Sequence, residues 1–423
     1  MRHRYNQTKQ HDPTMSLVAV AYLSLISTGL AVGLELEIVV YLINIFCLSS
    51  SCAIISLLVQ MVTSTLTAAG HEPEEPLSWN YLALAYALAI LVVVLTIPAT
   101  HPYSSWDFLS YWAIETLQAT NIHDMPDSIT DGYEPAKQPP GYWGAKAAET
   151  KFASSLLPVP YLERSLAIMT IAVVYNIGRD LGLRRLENFL AICVLFVPLH
   201  ENHLSNLGYA EVTLGLGVSL SGYYFLKSSS ASSTPALFAG TVISFSLPII
   251  KTSGTIFSAL ILLAFAGTYL KSLKISDRKI IMLSVLAVVS VWGLLLVLNG
   301  KSFGLLKTGT AFTLHSLDKL TDTLLTALVF NSSFSVACAV VICLITIVLK
   351  EDSPTGSSDD MLFLALFWIG LGTVAYAVLQ TTYGMGHAEP GRDTSFSRLL
   401  TPSVGLMSVT VATLISRLRD PAP

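Results

Sequence analysis

The chain has 423 residues, of which 52% are hydrophobic and only 12% are charged. Soluble globular proteins carry roughly a quarter charged residues, so this composition excludes an ordinary soluble domain and predicts an all-α integral membrane protein. The net charge of −4 is small and gives no basis for nucleic-acid binding. The 5 cysteines lie within apolar runs, where a thiol acts as a small hydrophobic group.

Apolar runs recur along the chain, and their length of roughly 15 to 25 residues is close to what a bilayer requires. These runs predict about twelve transmembrane helices. They lie near residues 15–33, 37–62, 80–98, 161–178, 187–199, 209–226, 236–250, 254–270, 279–298, 326–349, 361–380 and 398–416.

Lysine and arginine residues set the predicted orientation, because cytoplasmic loops are enriched in both. The short basic connections 179–185 and 271–279 fall on the same predicted side as the basic N-terminus. The N-terminus is therefore predicted to be cytoplasmic. The opposite, external face receives the long loops, which are residues 99–160, 200–208, 299–325 and 381–397.

The first external loop begins with a segment that would form an amphipathic helix at the membrane surface. Asp107, Tyr111 and Glu115 are spaced four residues apart and would share one helical face. Neighbouring tryptophans favour the headgroup level. Either this helix anchors the chain with its acids facing water, or it holds them over the membrane as part of a site.

The same loop ends in a stiff turn that carries a cation. Pro139 and Pro140 restrict the chain to an extended turn, which fixes Lys137 near Tyr142. A cation held beside aromatic rings at the headgroup level suits a lipid phosphate. A capped turn before the next helix is the alternative.

The second external loop contains metal-capable side chains and leads to a helix that begins with an acid. His203 lies near another histidine and a glutamate at helical spacing, which leaves a divalent metal as an alternative to a solvated turn. Glu211 opens an apolar helix with no adjacent counter-charge. Because such a position is costly for a carboxylate, Glu211 is a candidate functional acid.

Later cations lie at the external ends of predicted helices. Lys251 stands between two apolar runs, where it either reaches back to the headgroups or serves a site. Arg398 starts the last predicted helix, against the charge bias, and Arg392 lies shortly before it. An arginine in this position pairs with a carboxylate or binds an anion, since its planar fork matches carboxylate and phosphate oxygens.

Taken in order, these motifs resemble the GT-C superfamily of polytopic glycosyltransferases, in particular bacterial members similar to protein mannosyltransferases and aminoarabinose transferases. Such enzymes transfer a sugar from a polyprenyl-phosphate lipid to an acceptor outside the cytoplasmic membrane. The similar motifs are Trp106-Asp107 with Tyr111-Trp112, Gln138-Pro139-Pro140-Gly141-Tyr142-Trp143, Gly208-Tyr209-Ala210-Glu211, Lys251-Thr252-Ser253-Gly254, and Thr394-Ser395-Phe396-Ser397-Arg398-Leu399-Leu400.

The resemblance also implies roles for the candidate residues. Asp107 would be the catalytic base of an inverting transfer, and Glu211 would be a second acid that orients acceptor or donor. The resemblance fixes no cofactor and leaves a divalent metal open. The lipid phosphate would be bound by a set of cations and tyrosines, with two further candidates behind them: Lys137, Arg398, Lys251, Arg392, Tyr111 and Tyr142, then Glu115 and His203.

The implied organisation has three parts in a multi-pass protein of the inner (plasma) membrane. Residues 1–78 would form an accessory transmembrane hairpin, residues 79–270 the catalytic core, and residues 271–423 the helices that contact the donor lipid. The active site would lie on the external, periplasmic face. Its partners would be the bilayer, a polyprenyl-phosphate sugar donor, and a glycan, lipid or protein acceptor.

Two other functions fit a polytopic membrane protein. A polysaccharide polymerase or ligase commonly uses a large later external loop, whereas the longest loop here is the first, residues 99–160. A transporter or flippase of lipid-linked precursors would need ionisable residues along a path within the helices. Both functions are kept as alternatives.

Overall fold

The computed structural model describes residues 13–33, 36–68, 159–183, 185–199, 210–231, 233–251, 253–269, 317–330, 369–375 and 394–419. Every regular element in these ranges is helical, which confirms the all-α class for this part of the chain. The helices are α1 (Pro13–Gly33), α2 (Val39–Ala68), α3 (Val159–Asp180), α4 (Arg185–Leu199), α5 (Glu211–Ala231), α6 (Thr234–Ile250), α7 (Gly254–Tyr269), α8 (Leu317–Phe330) and α9 (Thr394–Arg419), with a short helical segment at 369–375.

Helices α1 and α2 are the elements that best fit a bilayer. Their apolar stretches, Pro13–Val32 and Val39–Gln60, contain 20 and 22 residues, close to the length of a span. Helix α6 and the first part of α7 are apolar but shorter. Within the described residues these two long apolar helices indicate membrane association, and the total of about twelve spans stays a prediction.

Helix α5 is the centre of the described bundle and contacts α1, α3, α6, α7 and α9. Every residue from Ala210 to Phe225 is buried. The reason lies in the sequence of α5, which is apolar or small on all sides, and a helix of that kind is stable only when it is surrounded. Small residues also let neighbouring backbones approach closely.

Helices α6 and α1 run antiparallel to α5. The Ser221 hydroxyl donates to the Gly240 carbonyl at 2.8 Å, and Gly217, nearer the start of α5, lies against Leu247, nearer the end of α6. The Tyr224 hydroxyl donates to the Met15 carbonyl at 3.2 Å. The first helix therefore shares one hydrophobic core with the later helices.

Helices α9 and α3 run parallel to α5. A Cβ on Gly215 would lie 3.6 Å from the Cα of Pro402, and the next contacts along both helices join Ser219 to Gly405. A Cβ on Gly405 would also lie 3.3 Å from the Cγ2 of Val174 on α3. The first turns of α3, α5 and α9 consequently lie at the same end of the bundle.

The bundle thus has two ends that are defined by α5. At the Glu211 end, α3, α5 and α9 begin and α6 ends. At the Asp180 end, α3 and α5 finish side by side, since the Lys227 ammonium donates to the Asp180 carboxylate at 3.1 Å. Basic residues at the ends of predicted cytoplasmic connections, Arg179 and Lys227, lie at the Asp180 end.

The turn between α3 and α4 shows why α3 stops where it does. Gly182 adopts a φ of 73°, the left-handed region that glycine enters without steric cost. Its N–H donates to the Arg179 carbonyl, and the Leu183 N–H donates to the Gly178 carbonyl, each at 2.9 Å. This pair of bonds is a Schellman motif, which satisfies the last carbonyls of the helix.

Two predicted external loops are partly helical. Helix α8, Leu317–Phe330, occupies the end of the predicted loop 299–325, and the predicted span 326–349 lies mostly outside the described residues. Helix α9 begins at Thr394 and not at Arg398, so the loop 381–397 ends earlier than predicted. In both cases polar residues in the first turn interrupt the apolar run from which the helix is predicted, although serine, threonine and aspartate favour helix starts.

Candidate functional site

Glu211 is the first residue of the central helix, and it is almost fully buried, at 3% exposure. The unsatisfied N–H groups of a helix N-terminus carry partial positive charge, so a carboxylate is favoured at this position. A buried carboxylate nevertheless needs further compensation, because its transfer from water is costly. The surrounding helices must therefore provide a cation.

That cation is Lys251, which follows the last residue of α6 and caps its C-terminus. Its backbone is held by the tight connection to α7, where the Gly254 N–H donates to the Lys251 carbonyl at 2.8 Å. Gly254 lies so close to the carbonyl group of Leu247 that no side chain fits there. The position of the Lys251 Cα is therefore fixed by the α6–α7 connection.

The Lys251 ammonium donates to a Glu211 carboxylate oxygen at 2.7 Å. The side chains are 19% and 4% exposed, respectively, so solvent screens the pair weakly. Helix dipoles favour both charges, because Glu211 lies at an N-terminus and Lys251 at a C-terminus. Breaking a buried pair by removing one partner costs about 3–5 kcal/mol in typical cases.

This pair changes the interpretation of both residues. The sequence shows no counter-charge adjacent to Glu211, but the antiparallel α5–α6 contact brings one from 40 positions along the chain. Lys251 was expected to reach the headgroups or to bind phosphate. Instead, its ammonium is directed to Glu211.

Arg398 lies in the first turns of α9, and it is buried, at 9% exposure. Its helix runs parallel to α5, and both Arg398 and Glu211 precede the Gly215–Pro402 contact by one helical turn. Arg398 is therefore at the Glu211 end of the bundle. The structure places three predicted site residues there, which are Glu211, Lys251 and Arg398.

The remaining predicted site residues lie outside the described part of the chain. Within that part, no group of three or more histidine, cysteine, aspartate or glutamate side chains could hold a metal ion. The residues outside the described ranges are Asp107, Tyr111, Glu115, Lys137, Tyr142, His203 and Arg392.

No family model, curated protein or solved structure matches the chain.

Arg164 on α3 is a further cation at the Glu211 end, and it is not among the site residues predicted from the sequence. Arg164 and Glu211 each lie sixteen residues before their member of the Asp180–Lys227 pair, on parallel helices. Arg164 is thus level with Glu211, and it is partly exposed. The sequence feature that could identify Arg164 is the same as for Arg398, namely an arginine at the external end of a predicted span.

Proposed function

We propose that the chain is a polytopic glycosyltransferase of the GT-C type. It transfers a sugar from a polyprenyl-phosphate donor to a glycan, lipid or protein acceptor at the external face of the inner membrane. The observation that carries the proposal is the buried carboxylate of Glu211, paired with Lys251 at the bundle end where Arg398 also lies.

The proposed reaction needs one base and several cations. An acceptor oxygen attacks the anomeric carbon, the bond from that carbon to the phosphate oxygen breaks, and its electron pair leaves with the phosphate. A base takes the acceptor proton, and cations stabilise the charge that develops on the leaving phosphate. Asp107 is the proposed base, and Glu211 orients the acceptor or donor.

Cationic side chains at the external face bind the phosphate of the lipid donor in this proposal. Arg398 is the described member of this group, and its planar fork can donate two hydrogen bonds to phosphate oxygens. Arg164 joins it as a second arginine at the Glu211 end. The other proposed contacts are Lys137, Arg392, Tyr111 and Tyr142.

The distribution of charge along α5 supports the proposed topology. Of the residues proposed for the external site, the described ones, Glu211, Arg398 and Arg164, lie at the Glu211 end, whereas Arg179 and Lys227 lie at the Asp180 end. This separation follows the rule that short basic connections stay cytoplasmic. It supports the proposed cytoplasmic N-terminus, because the start of α1 lies at the Asp180 end, where the Tyr224 hydroxyl donates to the Met15 carbonyl.

The test is a transfer assay with the purified full-length protein in vesicles. A panel of polyprenyl-phosphate sugars is supplied, and the release of polyprenyl phosphate is measured together with sugar transfer to added acceptors. At least one donor is expected to release its lipid phosphate, and Glu211→Gln is expected to slow that release strongly. Absence of release from every donor would contradict the proposal.

A further inference from the structure

We propose that Lys251 is a positioning residue that holds the Glu211 carboxylate in its working orientation, and that it is not a ligand of the donor phosphate. The inference rests on the proposed function, and it assigns Lys251 differently from the cations that contact the donor. Its basis is the direct ion pair at the start of α5.

The Lys251 ammonium is already hydrogen-bonded to the Glu211 carboxylate. A lysine ammonium is a compact point charge, and this one lies 2.7 Å from a Glu211 oxygen. A phosphate that recruited the same ammonium would have to compete with a carboxylate that is already desolvated. Lys251 is thus poorly placed to give its full charge to a ligand.

The backbones that carry Lys251 and Glu211 are both held in place by neighbouring helices. The Lys251 backbone is fixed by the α6–α7 connection, and Glu211 is the first residue of α5, which is buried from Ala210 to Phe225. Two side chains joined across these anchors have little freedom to reorient. A carboxylate that must orient a sugar hydroxyl gains from such restraint, since small errors in position reduce rates strongly.

A second ion pair of the same helix provides a matched control. Lys227 and Asp180 are both 18% exposed, and their atoms are 3.1 Å apart at the opposite end of α5. Each lysine ties α5 to a neighbouring helix, α6 in one case and α3 in the other. A purely structural role for Lys251 would make the two lysines behave alike.

The kinetic experiment compares Lys251→Met, Lys251→Arg and Lys227→Met in the full-length protein in vesicles. Lys251→Met is expected to lower kcat on the order of 100-fold, the scale of a misplaced catalytic group, and to leave the donor KM unchanged. Lys251→Arg should recover most of kcat, and Lys227→Met should leave both parameters unchanged. A raised donor KM at unchanged kcat in Lys251→Met would overturn the proposal, because that is the behaviour of a phosphate ligand.

A second measurement does not depend on catalysis. A hydrophobic carbodiimide adds to a protonated carboxyl group in an apolar setting, and the adduct is located by mass spectrometry of peptides. Lys251→Met should increase labelling of Glu211 severalfold, because the carboxylate loses the cation that favours its ionised form. Lys227→Met should not increase it, and Glu211→Gln should abolish it.

Together, the kinetic and labelling measurements distinguish failure of the proposed reaction from failure of the positioning role of Lys251. If the wild-type protein transfers no sugar but Lys251→Met increases labelling, the proposed reaction is wrong and the role of Lys251 toward Glu211 stands. If labelling of Glu211 is equal in wild type and Lys251→Met, the positioning role is overturned whatever the activity.

Discussion

Gly217 of α5 lies directly against Tyr22 of α1, so that a Cβ at position 217 would come within 2.8 Å of the Tyr22 Cζ. The same Cβ would be 2.5 Å from the Leu247 Cδ2 on α6. Both distances are far shorter than an ordinary carbon–carbon contact. At this point three helices meet around a residue without a side chain.

Gly217→Ala is therefore expected to destabilise the protein by about 1–3 kcal/mol, the usual cost of overpacking. Gly215→Ala is the matched control, because its Cβ would meet Pro402 at 3.6 Å, an ordinary contact. That variant should be neutral or gain up to about 1 kcal/mol from higher helix propensity. Thermal unfolding in detergent measures both, and an equal effect of the two variants would contradict the described α1–α5–α6 contact.

Tyr22→Phe tests the hydrogen bond that joins α1 to α6. The Tyr22 and Ser246 hydroxyls are 2.9 Å apart and buried, and the Ser246 hydroxyl also donates to the Ile243 carbonyl. Removing one such bond should cost about 0.5–1.5 kcal/mol. A double-mutant cycle with Ser246→Ala isolates the pair, and a coupling energy of zero would count against the bond.

Cysteines placed at opposite ends of the bundle should be labelled from opposite sides of the membrane. Glu37 lies in the turn after α1 at the Glu211 end, and the Arg179 side chain is 40% exposed at the Asp180 end. In sealed vesicles, an impermeant maleimide should reach Glu37→Cys from the external side and Arg179→Cys from the cytoplasmic side. Both variants are made in a protein whose 5 native cysteines have been replaced. Labelling of both sites from one side would refute the proposed topology.

Asp107→Asn should abolish sugar transfer and leave expression and thermal unfolding intact. General bases contribute about 10²–10⁴-fold to rates, so the loss of kcat should fall in that range. Asp124→Asn, in the same predicted loop, is the control. Full activity of Asp107→Asn would remove Asp107 from the role of base.

Arg398→Ala should chiefly weaken donor use. Hydrogen bonds to charged groups contribute about 1.5–3 kcal/mol, which corresponds to a donor KM raised by roughly 10- to 100-fold. Arg398→Lys should recover only part of this, because a lysine cannot provide the two-pronged contact. Arg417→Ala, at the other end of α9, serves as control, and an unchanged donor KM in Arg398→Ala would sink the assignment.

The sequence predicted the helices where apolar residues form long runs. Helix α5 begins at Glu211, close to the start of the predicted run 209–226. This helix could be predicted because a long run of apolar and small residues is recognisable from composition alone. Helix α8 begins in a segment that is predicted as a loop, because Asp318 and Lys319 interrupt the apolar pattern in its first turn.

The site was only partly accessible to the same reasoning. Glu211 could be identified as a costly carboxylate from its own neighbourhood. Its pairing with Lys251 could not, because that contact depends on the antiparallel crossing of α5 and α6 and not on any local pattern. Arg164, like Arg398, is recognisable as an arginine at the external end of a predicted span, but its position level with Glu211 depends on the parallel packing of α3 and α5.

In the proposed topology α5 crosses the bilayer, and the ion pairs at its two ends mark the limits of its uncharged segment. Sixteen residues separate Glu211 from Lys227, which corresponds to about 24 Å along a helix. A hydrocarbon layer thicker than this spacing would draw one charged pair toward the acyl chains or would have to thin locally around the helix. The proposed topology therefore predicts a bilayer that is thinner around α5 than around α1 and α2, whose apolar stretches contain 20 and 22 residues.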